Sequence, residues 1–160
     1  KLNSVATADL SGTTYAQCHV GFGAGGITVN KKFYKDWGRT LRSYADDVAH
    51  GFHPAGTEAD SVLTHEFGHA IDDFLTSKLQ LAGMKNHWQP KSVSAYLRPK
   101  VMKDCGLKVS DAYKEVSGYA TKDSMEWFAE CFAEYVDSET PRTVASKFGE
   151  YLEEMLKGVK

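Results

Sequence analysis

The segment His65–His69, which reads HEFGH, constrains this chain more than any other feature. Two histidines four residues apart lie on one face of a helix, about 6 Å apart along its axis, so both rings can bind one metal ion with Glu66 beside it. The flanking residues predict a helix from Thr57 to about Leu79, because Thr57 begins a near match to a capping box and an apolar stripe follows. This geometry suits zinc.

A catalytic zinc ion needs a third protein ligand and an open position for water. No third histidine follows His69 at the HExxHxxGxxH spacing, so the third ligand must come from elsewhere in the chain. A later segment places Glu126, Glu130 and Glu134 at successive steps of four on an otherwise apolar helix. Such carboxylates repel each other unless a cation lies nearby. We expect this helix to supply the third ligand, with a solvated acidic face as the alternative.

The composition is that of one globular domain: of 160 residues, 42% are hydrophobic and 25% are charged. The net charge of -2 provides no overall basic surface, and no apolar run approaches the roughly 20 residues that span a bilayer. We therefore expect a soluble protein that binds neither nucleic acid nor membrane. The three cysteines form no CxxC pair and are predicted to be free thiols: Cys18, Cys105 and Cys131.

The chain begins at Lys1 without Met, which is typical of an excised fragment of a larger protein. A phage-associated, a secreted and a cytoplasmic location all stay open, as does the oligomeric state. Hydrophobic patterning predicts a β-hairpin over residues 13–30 with a glycine-rich connection, which lacks the GK[ST] ending of a phosphate loop. Beyond the motif helix, the patterning predicts one or two short helices over 32–48, a loop over 50–56, and helices over 92–104, 124–136 and 143–156.

The segment HEFGHAIDD, followed by Tyr119 and by EWFAECF from Glu126, resembles the gluzincin metallopeptidases of the anthrax lethal factor type. Relatives of that family include the Pro-Pro endopeptidases and domains of phage and mobile-element proteins. The resemblance is sharp over Val62–Phe74 and Gly118–Tyr135. It implies a peptidase that binds one zinc ion per chain.

The resemblance also implies a role for individual residues. The zinc ligands would be His65, His69 and Glu126. Glu66 would be the general base, and Tyr119 would be the side chain that supports the transition state. Glu130 lies one turn beyond Glu126 and matches a carboxylate of that family that contacts a ligand histidine. The strand that contains Ile27, Thr28 and Val29 would be the edge on which a peptide substrate lies.

A ligating imidazole usually donates its other N–H to a carboxylate or carbonyl, so Glu130 is the first candidate to orient the histidines. Asp72 and Asp73 are weaker candidates for that role, and Glu130 is also the alternative third ligand. His87 and His53 are next in line if Tyr119 is not the transition-state donor.

We therefore expect an α+β, zincin-like metallopeptidase domain over residues 1–160. A small mixed or antiparallel sheet would pack on the HExxH helix, and a mostly helical C-terminal half would supply Glu126. Residues 79–117 are longer than the resemblance implies and are interpreted as an insertion or a lid. The expected reaction is hydrolysis of a peptide bond in a peptide or protein substrate. The alternatives are a zinc-stabilised interaction module without turnover and a self-processing domain of a larger phage or toxin-like protein.

Overall fold

The computed structural model describes residues 2–20, 25–81 and 92–159. These residues form a mostly helical α+β fold with one small sheet. The strands are β1 (Leu2–Ala8), β2 (Ala16–His19) and β3 (Gly25–Asn30). The helices are α1 (Lys31–Tyr34), α2 (Trp37–Ala49), α3 (Ser61–Leu81), α4 (Val93–Asp104), α5 (Ala112–Glu115), α6 (Ser124–Asp137) and α7 (Thr143–Gly158). A search of the described helices for a membrane-spanning segment finds none.

The sheet has the strand order β1-β3-β2, with β3 parallel to β1 and antiparallel to β2. The pairing of β2 with β3 confirms the predicted hairpin and sets Ala16 opposite Val29. The sequence does not predict β1, because the side chains of residues 3–7 are all exposed and no alternation of buried and exposed positions marks the strand. Backbone pairing with β3 holds β1 in the sheet.

The central position of β3 corrects the expected substrate edge. The resemblance implies that Ile27, Thr28 and Val29 form an edge along which a peptide can lie. That placement is wrong, because each of the three residues pairs with β1 on one side and with β2 on the other. A strand paired on both sides has no free row of N–H and C=O groups to offer a further strand. The strand at the edge of the sheet that packs against α3 is β2.

Helix α3 begins at Ser61, later than the predicted start at Thr57. The Thr57 hydroxyl does not cap the helix, because it donates to the Pro54 carbonyl at 2.8 Å and hydrogen-bonds the buried Tyr44 hydroxyl at 3.1 Å. These bonds hold the 50–56 loop against α2. The capping-box interpretation of Thr57 is therefore wrong, whereas the helix itself is confirmed.

The other predicted helices are confirmed close to their predicted bounds. The 32–48 segment forms two helices, because Asp36 accepts from the backbone N–H of Arg39 and starts α2 as a separate helix. Ser92 caps α4 by accepting from the N–H of Ala95 at 3.1 Å. Gly106, which follows α4, has φ +74°, a conformation that favours glycine.

Two hydrophobic cores lie on either side of α3. One core packs between the sheet, α2 and α3, and the other packs between α3, α4, α6 and α7. The largest fully buried apolar side chains of the second core are Trp127, Phe128, Phe148, Leu75 and Leu97. Because Leu97 belongs to α4, the described part of segment 79–117 contributes to this core, while residues 82–91 lie outside the described residues. All three cysteines are free, as predicted.

Helices α3 and α6 approach closely at Gly68, the fourth residue of the HEFGH motif. A β-carbon placed on Gly68 would lie 3.0 Å from the Cα of Ala129 and 3.3 Å from the Cβ of Phe132. That spacing leaves no room for a side chain at position 68. The small residues at 68 and 129 therefore determine how near the two helices lie.

We predict that Gly68→Ala lowers the free energy of unfolding by about 1–3 kcal/mol, because the added methyl group forces α3 and α6 apart. The matched control is Gly38→Ala in α2, where the nearest atom to an added β-carbon is 3.7 Å away, an ordinary van der Waals contact. Gly38→Ala should keep or raise stability, by up to about 1 kcal/mol from helix propensity. Chemical denaturation measures both variants, and equal stabilities would contradict the close-packing argument.

Candidate metal centre

The two motif histidines lie one turn apart on the side of α3 that faces α6. Their ring centroids are 4.9 Å apart and the ring planes are nearly perpendicular. His65 is buried and His69 is half-buried. Both rings therefore point their Nε2 atoms into one shielded place between the helices.

Glu126 completes this arrangement from α6. Its Oε2 atom lies 3.2 Å from Nε2 of His65 and 3.2 Å from Nε2 of His69. Helix α6 begins two residues earlier, at Ser124, where Asp123 caps it by accepting the N–H groups of Met125 and Glu126. One donor atom from each of His65, His69 and Glu126 lies within 4.8 Å of the other two, so these residues could hold a metal ion.

The protonation of this cluster reflects its concentrated charge. Burial acts to lower the pKa of His65, but the carboxylates of Glu126 and Glu130 outweigh burial and raise it to about 10. Burial acts to raise the pKa of Glu126, yet hydrogen bonds from both histidines and Lys122 hold it far below its usual value. Two imidazole nitrogens share one carboxylate oxygen here, and a divalent cation between the three atoms would satisfy all of them.

Glu130 lies one turn beyond Glu126 and is almost fully buried. Its Oε1 atom is 2.7 Å from Nδ1 of His65, an ion-pair distance at which the ring N–H is not aligned for a hydrogen bond. Its Oε2 atom accepts from the Ser117 hydroxyl at 2.6 Å. Burial acts to raise the pKa of Glu130, but His53 and His65 lower it to about 2. Glu130 thus stands where a group that orients His65 must stand.

Glu134, the third acid of the series, has a different partner. Arg142 donates to both of its carboxylate oxygens, from Nε at 2.8 Å and from a terminal nitrogen at 2.7 Å. The backbone N–H of Arg142 donates to the same carboxylate at 2.9 Å. This bidentate pair joins the end of α6 to the start of α7, so Glu134 is structural.

The two aspartates of α3 do not orient the histidines in this structure. Asp72 is buried and accepts from the backbone N–H of Ser94 at 2.8 Å, which ties α3 to the first turn of α4. Asp73 is exposed. Within the described residues, the ion pairs of His65 and His69 are made with Glu126 and Glu130. The expectation for Asp72 is therefore corrected: its carboxylate caps a neighbouring helix.

Glu66 is buried beside the histidines and faces the edge strand. Burial raises the pKa of its carboxyl group, an effect that His65, His69 and the backbone N–H of Cys18 partly offset. Cys18 belongs to β2. The carboxylate of Glu66, the predicted general base, therefore lies between the α3 backbone and β2.

Tyr119 reaches the site from a short 3₁₀ turn, Tyr119–Thr121, that precedes α6. Its backbone N–H donates to the Phe52 carbonyl at 3.1 Å, which fixes the turn to the 50–56 loop. Its ring centroid lies 5.8 Å from that of His65, and its hydroxyl accepts from Nζ of Lys122 at 3.3 Å. The structure therefore brings Tyr119 to the same centre as His65 and His69.

Sequence reasoning missed two residues of this site. Ser117 anchors Glu130 and accepts the N–H of Ala120, and Lys122 contacts Glu126. Only the four-residue spacing of Lys122 and Glu126 gave a signal in the sequence, and Ser117 gave none. His53, an alternative to Tyr119 as the transition-state donor, is buried, and its Nδ1 atom lies 3.5 Å from Oε1 of Glu130. His87, the other alternative to Tyr119, lies outside the described residues.

A cleft of about 820 Å³ opens onto the donor atoms. Residues 15–19, around β2, line one side, and His65, Glu66, His69 and Glu126 line the other. Five aromatic side chains, here called the aromatic wall, also line the cleft: Tyr15, Phe33, Tyr44, Phe52 and Tyr119. An extended chain of several residues has room beside the donor atoms.

Comparison of the chain with protein-family models, with curated proteins and with solved structures gives no match. The chemistry of the site therefore follows from its own donor atoms. Two imidazoles and one carboxylate, with a buried second carboxylate and a phenol beside them, can hold a divalent cation and move protons next to it.

We predict that the three glutamates of α6 differ in their effect on zinc affinity. Glu126→Ala removes one of the three candidate donors and should abolish tight binding. Glu130→Ala should weaken binding about 10–100-fold, because His65 loses the group that orients it. Titration of the metal-free protein with zinc measures both, and the reverse order would make Glu130 the third ligand.

Glu134→Gln is the matched control on the same helix. It should leave zinc affinity unchanged. It should lower the free energy of unfolding by up to about 3 kcal/mol, which is the lower end of the range for breaking a buried ion pair, because Arg142 is partly exposed. Loss of zinc binding in this variant would show that α6 responds as one unit and that the three roles are not separable.

Proposed function

We propose that this chain is a zinc-dependent endopeptidase with a zincin-like fold. The observation that carries the proposal is the meeting of His65, His69 and Glu126 at one point beside a buried Glu66 and at the floor of an open cleft. A purely structural zinc site is closed by four protein ligands and needs no free carboxylate next to it.

The donor set fits zinc, which binds two histidines and one glutamate in catalytic sites with a position left open. Both Nε2 atoms approach one carboxylate oxygen at 3.2 Å, so the three donors already converge. When bound, zinc would polarise the scissile carbonyl and make an attacking water more acidic.

Glu66 is placed to take the proton of that water. Its neighbours on α3 are His65 and, one turn later, His69, and its side chain lines the cleft, so its carboxylate would lie beside an ion held by the two histidines. The same carboxyl group can return the proton to the leaving amine. Burial keeps bulk water from competing for this position.

Tyr119 supports the reaction as a hydrogen-bond donor. Negative charge grows on the carbonyl oxygen in the transition state, and a fixed phenol binds that charge more strongly than it binds the substrate carbonyl. The 3₁₀ turn holds Tyr119 in place through the Phe52 carbonyl. Its position beside His65 puts the hydroxyl within the cleft wall.

The substrate in this proposal is a peptide or protein segment in extended form. Strand β2 replaces Ile27–Val29 as the edge beside which the segment lies, because β2 ends the sheet and lines the cleft. Apart from the Cys18 N–H, which interacts with Glu66, this edge pairs with no further strand among the described residues, and such an edge binds an extended peptide through backbone hydrogen bonds. The aromatic wall would contact its side chains.

We predict that Glu66→Gln keeps zinc and removes peptidase activity. Glutamine preserves size and hydrogen bonding but cannot accept the proton, and the loss of a general base costs about 10²–10⁴-fold. Turnover of a mixed peptide library, with and without a chelator, measures the effect. The control is Glu58→Gln, an exposed acid just before α3, which should retain activity.

Two results would contradict the peptidase proposal. Full turnover in Glu66→Gln would exclude Glu66 from the reaction. Tight zinc binding by the parent protein with no cleavage of any library peptide, and no self-cleavage on mass analysis, would leave a zinc-stabilised interaction module.

We predict that Tyr119→Phe lowers kcat by roughly 10²–10³ with little change in KM, because the hydroxyl that would bind the transition state is lost, together with its contact to Lys122. Zinc content and stability should stay close to those of the parent. Tyr113→Phe, which changes an exposed tyrosine, is the control. A kcat within about threefold of the parent, less than roughly 0.7 kcal/mol, would assign the donor role to another side chain.

A further inference from the structure

Lys122 lies outside both the HEFGH motif and the EWFAECF segment, and it makes three contacts at the centre. Its ammonium group donates to Oε1 of Glu126 at 2.5 Å and to the Tyr119 hydroxyl at 3.3 Å. The same Nζ lies 5.0 Å from the centroid of the Tyr119 ring. One cation thus contacts both the proposed ligand carboxylate and the proposed transition-state donor.

The backbone holds Lys122 in this place. Its N–H donates to the Tyr119 carbonyl at 3.1 Å, which closes the 3₁₀ turn, and the next residue, Asp123, caps α6. The Lys122 side chain is 56% exposed, but the carboxylate that it meets is only 11% exposed. The ammonium group therefore acts on a largely desolvated partner.

We propose that Lys122 is a positioning residue that makes Glu126 a one-oxygen metal ligand and turns the Tyr119 O–H away from the ammonium group, towards the Glu126 side of the cleft. The metal half of this inference needs only the donor cluster, whereas the tyrosine half rests on the proposed peptidase function. The two halves call for separate measurements.

The first step concerns the two oxygens of Glu126. Lys122 holds Oε1, while Oε2 lies 3.2 Å from Nε2 of each histidine. With one oxygen engaged by an ammonium group, the carboxylate offers the other oxygen alone to a cation. A one-oxygen ligand leaves coordination space for water and for a substrate oxygen.

The second step concerns the direction of the Tyr119 proton. An ammonium group has three donors and no acceptor, so the phenol oxygen must accept from Lys122. The phenol's own O–H then points away from Lys122, on the side where the Glu126 carboxylate, which also interacts with it, and the cleft lie. A cation at the phenol oxygen also makes that O–H a better donor.

Lys100 shows what an ordinary pair of this kind looks like. It forms an i,i+4 ion pair with Asp104 at 3.3 Å and lies 4.7 Å from the Tyr151 ring centroid, both on the surface and away from the centre. Surface pairs of this type contribute little to stability. Lys100→Met is therefore a matched control for Lys122→Met.

The first experiment is the visible absorption spectrum of the protein loaded with Co²⁺ in place of zinc. Lys122→Met frees Oε1 to enter the coordination sphere, so we expect a weaker and shifted absorption band. Lys122→Arg, which keeps a donor-only cation, should restore the parent spectrum in large part, and Lys100→Met should not change it. This readout requires no peptidase activity.

An unchanged spectrum in Lys122→Met would overturn the metal half. A parent protein that binds no Co²⁺ would overturn the donor cluster itself, and the inference with it. A Co²⁺ spectrum that responds to Lys122→Met in a protein without peptidase activity would retain the metal half and reject the proposed function.

The second experiment is a double-mutant cycle on kcat. Lys122→Met should lower kcat about 10–100-fold, as the loss of a group that orients a catalytic side chain commonly does, with KM nearly unchanged. In the Tyr119→Phe background the same substitution should have a much smaller effect. An equal fold-loss in both backgrounds would overturn the tyrosine half.

Discussion

The close contact of α3 with α6 is the constraint on which the rest of this structure depends. A glycine at 68 and an alanine at 129 let the two backbones approach until a β-carbon on Gly68 would lie 3.0 Å from the facing Cα. That approach brings His65 and Glu126, which are 61 residues apart, to 3.2 Å. One side of α3 packs against the sheet, and the other side packs against the helical core. The candidate site is thus a property of a helix pair, and packing on both flanks holds the pair together.

Three carboxylates with the same spacing on α6 have three different partners, because the elements that face them differ. Glu126 meets the histidines and Lys122 at the open end of the helix pair. Glu130 lies deeper, between His65, His53 and the Ser117 hydroxyl. Glu134 meets Arg142, the residue that precedes α7. Burying three carboxylates in a row is costly, and each one is stabilised by its own donors.

The turn that carries Tyr119 links the two halves of the domain. Its backbone bonds to the 50–56 loop, with Gly118 donating to Gly51 at 2.7 Å, connect the entry to α6 with the end of α2. His53 in that loop stacks on Tyr44, with ring centroids 4.6 Å apart, and reaches towards Glu130. Loop, turn and α6 therefore support the centre together. This arrangement suits chemistry that requires several groups to stay fixed around one ion.

The sequence by itself determined the features that depend on neighbours along the chain. These are the HEFGH helix, the acidic face of α6, and the bounds of α4, α6 and α7, because helical spacing and capping are local. It did not determine β1, whose exposed side chains carry no pattern, or the central place of β3, which depends on pairing with that strand. The different roles of Glu126 and Glu134, and the contact of Ser117 with Glu130, were decided only by the tertiary structure. Each of these depends on which distant backbone lies opposite a side chain, and a single sequence does not encode that relation as a spacing.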